Sequence, residues 1–106
     1  MQGSSLPQQR ILDLVQGSLP QLPEKLRVWA QRHLIEPRVV AVSLDPEGNR
    51  SGEVWLVTDD VGVEDSSCRI VYDLVSKAFG LECRMANQVS WYMGPIGTFD
   101  EAVNSL

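Results

Sequence analysis

The chain has 106 residues, of which 43% are hydrophobic and 22% charged, a balance that suits one folded domain and argues against disorder. Its formal net charge of -5 argues against DNA or RNA held through the phosphate backbone, because that binding needs a basic face. No apolar run reaches the roughly 18 residues of a membrane helix, and Met1–Ser5 lacks the basic start and apolar stretch of a secretory leader. A cytoplasmic protein with no membrane or nucleic-acid partner is therefore expected.

Residues 1–6 are read as disordered, and the remainder belongs to a single α+β domain spanning 1–106. Leu6–Gly17 predicts a helix: Pro7 suits a first turn, Ile11, Leu14 and Val15 share a face, and Gly17 is placed to end it. After the connector Leu19–Leu22, a second helix is predicted from Pro23 to Ile35, with Leu26, Trp29, Ala30 and His33 at helical spacing. Glu36-Pro37 should stop it, since a residue before proline avoids helical angles. Arg38–Leu44 and Glu53–Thr58 are β-branched and apolar, and the turn formers Asp45–Gly52 join them into a hairpin.

Residues 66–80 fit two patterns. As a helix, Val71, Leu74, Val75 and Ala78 line one side, and Asp73 and Lys77 stand four apart in the favourable order. As strands, Cys68–Tyr72 and Ala78–Arg84 form a second hairpin, supported by the run Ile70-Val71-Tyr72. The period favours the helix. Short strands Leu81–Met85 and Val89–Met93 follow, Gly94–Gly97 breaks the chain, and Thr98-Phe-Asp-Glu101 is a capping box opening a last helix. Phe99, Ala102, Val103 and Leu106 should face inward. The expected architecture has two N-terminal helices and a mainly antiparallel four-stranded sheet, made of two hairpins with an intervening helix. A short C-terminal helix completes it.

Chemistry-bearing motifs are sparse. Cys68 and Cys83 lie fifteen apart with one histidine, His33, in the chain. That inventory excludes a four-ligand zinc site, and without a secretion signal a structural disulfide is not expected. No catalytic, metal or cofactor set emerges. A helix-start anion site at Gly94–Gly97 is disfavoured, because the capping box already uses those amides.

Two groups remain as binding candidates. Asp59, Asp60, Glu64 and Asp65 place four carboxylates in one loop, suited to a basic protein partner. Trp91 and Tyr92 are adjacent aromatics on a strand, whose alternation presents them to opposite sides; one of them turned outward would serve a homodimer interface. The leading expectation is a non-enzymatic protein-binding module, immunity- or antitoxin-like, acting as a homodimer. The alternative is a small-molecule pocket lined by Trp29, Trp55, Trp91 and Tyr92.

Overall fold

The computed structural model describes residues 5–59, 67–84 and 89–106. Helix α1 covers Ser5–Ser18 and tightens into a 3-10 turn over Leu19–Gln21. Ile11, Val15 and Ser18 form its buried stripe. Of the residues read as disordered, Ser5 and Leu6 belong to this helix, and 1–4 lie outside the described residues. Helix α2 covers Glu24–His33, with Glu24 in the first turn and Arg32 and His33 in the last, the charge order that a helix dipole favours. It stops two residues short of the expected end, because Leu34 is extended with ψ 136°.

Five strands follow: β1 Leu34–Ser43, β2 Ser51–Thr58, β3 Ser67–Asp73, β4 Ala78–Arg84 and β5 Trp91–Gly97. Consecutive strands pair antiparallel, and one parallel pair, Ser43 with Trp91, closes β1 onto β5. The fold is α+β, but with five strands rather than four, and they form a small barrel. Glu36-Pro37 does not lie between helix and strand; it belongs to β1, where the pairing with β2 shifts between Leu34 and Arg38. Such irregularities are where a strand tolerates proline. Gly94–Gly97 likewise belongs to β5, with Gly94 at φ 104° and the register shifting opposite Gly80.

Residues 67–84 are a β-hairpin, which corrects the helix expected over 66–80. The hairpin is covered on both faces, so it lacks the apolar–polar alternation of a half-exposed strand. Cys68, Ile70, Tyr72, Phe79, Leu81 and Cys83 join the large core built with Ile11, Val15, Leu19, Leu22, Ala30 and Phe99. Val71, on the other face, joins Val42, Val54, Leu56 and Tyr92 in a second cluster made only of strand residues, the filling of the barrel. Leu74 and Val75, which completed the helical stripe on paper, sit instead on the exposed turn between the two strands.

The barrel filling includes an acid. Glu82 is 4% exposed and accepts from Arg69 Nε at 2.7 Å, with Nη2 of the same guanidinium also against Oε1. Arg69 and Glu82 are cross-strand partners, and a charge this deeply buried persists only when paired. Next to the ring of Tyr92, Gly80 leaves no room for a side chain: a Cβ there would lie 2.4 Å from the Gly94 carbonyl oxygen and 2.9 Å from the ring. The C-terminal helix α3, Phe99–Asn104, opens with the expected capping box, Thr98 accepting from the Glu101 amide and Glu101 from the Thr98 amide. Phe99, Ala102 and Val103 are buried; Leu106, expected inside, is exposed.

Cys68 and Cys83 are joined by a disulfide, contrary to expectation. They stand directly opposite each other in the β3–β4 register with Cα atoms 4.1 Å apart, near the close spacing of a non-hydrogen-bonded antiparallel pair. An argument from compartment cannot see register, and register decides this pair. In the chain-entropy picture a bridge closing a loop of this length is worth about 3 kcal/mol. Reduction should therefore lower the unfolding free energy by about that amount, seen as a lower denaturant midpoint, without changing the circular-dichroism spectrum. An unchanged midpoint on reduction would contradict this placement.

Candidate functional site

Asp73 ends β3 and organises the turn into β4. Its Oδ1 accepts from the amides of Val75 and Ser76 at 2.9 and 3.3 Å, and its Oδ2 from the Ser76 hydroxyl at 3.2 Å. Oδ2 also accepts from the Tyr92 hydroxyl at 3.1 Å, tying the turn to the barrel filling. Lys77 closes the turn at φ 55°, a left-handed conformation that favours glycine. The turn projects from the barrel with a cavity on either flank.

On the β2 flank, Val39, Trp55, Leu74 and Val75 form an apolar groove of about 380 Å³, with Glu53 and Asp73 as its charged lining residues. Val39 and Trp55 are cross-strand neighbours, and helices cover this part of the barrel only partly: Trp55 is half-buried and Val39 exposed. On the α1 flank, Arg10, Leu14, Tyr72, Leu74 and Lys77 surround a cleft of about 340 Å³. Leu14, Tyr72 and Lys77 also line a neighbouring cavity of about 270 Å³ that reaches Phe79, Thr98 and Glu101. One hairpin thus separates an acidic, apolar groove from a basic cleft.

The residues singled out in the sequence are dispersed. Asp59 faces His33, with Oδ1 2.7 Å from His33 Nδ1, and its amide donates to the His33 carbonyl at 3.0 Å. Asp60, Glu64 and Asp65 lie outside the described residues. Tyr92 is inside the barrel and Trp91 is half-buried, so the larger part of that aromatic pair is taken up by packing. Trp29 lies tilted against His33 with ring centroids 4.9 Å apart and borders a separate cavity with Lys25, Leu26, Val103 and Leu106. Trp55 alone of the four aromatics lines the groove beside the turn. The disulfide leaves neither cysteine as a thiol. Among the described residues no cluster of three or more His, Cys, Asp or Glu side chains is disposed to hold a metal, and no helix is long and apolar enough to cross a membrane.

Arg10, Val39, Tyr72, Val75 and Lys77 escaped the sequence reading. They come from three segments, at residue 10, at residue 39 and at 72–77, and only the hairpin reading of 67–84 could have set the last three around one turn.

Burial, and after it the charge and hydrogen bond of Asp73, push the Tyr92 phenol well above its ordinary value near 10. A proton held more tightly in the folded than in the unfolded chain contributes stability that is fully present below about pH 10. That stability is lost as pH rises from there toward the folded value. Tyr92→Phe should lose about 1 kcal/mol at neutral pH with its hydrogen bond, yet show a shallower alkaline decline in denaturant midpoint than the parent. Parallel declines would contradict the assignment.

Neither a family model, nor a curated protein, nor a solved structure matches this chain.

Proposed function

We propose that the protein is a non-enzymatic binding module whose partner is another polypeptide presenting a basic side chain flanked by apolar ones. The observation that carries this reading is Val75, 93% exposed at the tip of a well-organised turn beside the half-buried Trp55. A fully exposed branched side chain on a fixed turn gives folding nothing, whereas an apolar tip beside an indole is what a contact surface uses. Charge complementarity selects the partner. The groove's charged lining residues, Glu53 and Asp73, are both acidic, the chain as a whole carries -5, and the Trp55 face can receive a guanidinium or ammonium group. These features favour a contact at Trp55 and the turn over one at the β5 aromatics.

Fluorescence anisotropy with labelled short peptides of alternating Arg and Leu tests this, with Glu–Leu peptides as the comparison. The Arg–Leu peptide should bind, more weakly as salt rises, and the Glu–Leu peptide should not. Val75→Ser, which disturbs no buried contact, should weaken binding about tenfold, and Trp55→Ala at least as much. Equal binding of both peptides, or a Val75→Ser variant that binds like the parent, would overturn the reading. Sedimentation of the protein alone supplies a further arm: a dimer dissociated by Val75→Ser would assign the face to a second copy of the chain and overturn the basic partner.

A further inference from the structure

We propose that the cleft between α1 and the β3–β4 turn is a binding site for a small organic carboxylate with an apolar body. The site is distinct from the groove at Trp55 and does not depend on the function proposed for it. Its floor is Tyr72, which is 4% exposed and lines both adjoining cavities of this flank. The ring is fixed edge-on against Phe79 at 4.8 Å, and Phe79 in turn against Phe99 at 5.6 Å. Yet among the described residues the Tyr72 hydroxyl has no hydrogen-bond partner. A hydroxyl at such depth is ordinarily satisfied by protein. Because no side-chain polar atom among the described residues is both sealed from solvent and unpaired, this oxygen keeps access to solvent, and the two cavities that Tyr72 lines both lie on the α1 flank. It stands ready to donate to an acceptor placed there.

The charges beside it say what kind of acceptor. Arg10 and Lys77 border the cleft, and neither has an ion-pair partner among the described residues. The acid that lines the adjoining cavity, Glu101, is held by the capping box, accepting from the Thr98 amide at 2.9 Å and from its hydroxyl at 3.1 Å. Two cations against one engaged carboxylate leave an excess of one positive charge, which matches a monoanion better than a phosphate dianion. Leu14, Leu74 and Phe79 supply an apolar wall for the rest of the ligand. The conformation of Lys77 fits this role. Glycine would meet the left-handed turn position more easily, so the lysine side chain is present at a conformational cost that its charge in the cleft explains.

Isothermal titration with sodium benzoate tests the site, with benzamide and inorganic phosphate as comparisons. Benzoate should bind saturably, with benzamide and phosphate each at least about tenfold weaker. Arg10→Met and Lys77→Gly should each weaken benzoate about tenfold, and Tyr72→Phe about fivefold. The Tyr72→Phe and Lys77→Gly proteins should melt no lower than the parent, since one removes an unpartnered hydroxyl and the other relieves a left-handed residue. No saturable heat with benzoate up to about 10 mM would overturn the proposal. Tighter binding of phosphate would also overturn it, as would a Tyr72→Phe variant with lowered melting temperature and unchanged benzoate affinity. Loss of peptide binding at Trp55 with benzoate binding intact would count against the partner reading alone.

Discussion

The alternation of side chains across the β3–β4 hairpin is the constraint from which the rest of the molecule follows. Every second residue of these strands faces the helices and every other one faces the barrel, so a slip of one residue would exchange the two cores. In such a slip the Arg69–Glu82 pair would be driven under the helices and Ile70 and Leu81 into the barrel. Three features hold the register. The Asp73 side chain collects the turn amides, the Cys68–Cys83 bridge ties the opposite end, and the Gly80 site accepts the Tyr92 ring only in this alignment.

The same hairpin explains why the candidate sites are where they are. A hairpin fixed at its base and buried on both faces can project a rigid turn, and rigidity is what makes an exposed side chain useful for recognition. Asp73 belongs to that scaffold and to the chemistry at once: it orders the turn, ties it to Tyr92 and lends its charge to the groove beside Trp55. Lys77, at the other end of the turn, faces the α1 cleft. The two flanks of one turn therefore differ in charge because the residues opening and closing it differ in charge.

Much of this was legible beforehand. The first two helices, the β1–β2 hairpin and the capping box at Thr98 and Glu101 appear near their expected places, because each is written in local signals: spacing, turn residues and a hydroxyl–carboxylate pair. The hairpin at 67–84 was legible only as one of two patterns. Ile70, Val71 and Tyr72 are consecutive apolar residues because both faces are covered, and that erases the period-two signature. The prolines misled for a related reason: Pro37 and Pro95 lie in strands at register shifts, where the sequence shows only a breaker. The disulfide and the grooves were not legible at all. Both depend on which residues face each other across strands and helices, and no local pattern carries Arg10 to Lys77 or Cys68 to Cys83.

The central claim is that the turn divides two binding surfaces of opposite charge. Its most direct measurement is a ¹H–¹⁵N correlation spectrum of the protein titrated with the Arg–Leu peptide and, separately, with benzoate. The account predicts that the peptide moves the Trp55 indole N–H and the Val75 amide, whereas benzoate moves Leu14 and Lys77 and leaves the Trp55 indole in place. Both titrants shifting one common set of residues, or perturbations confined to the far cavity beside Trp29, would contradict it.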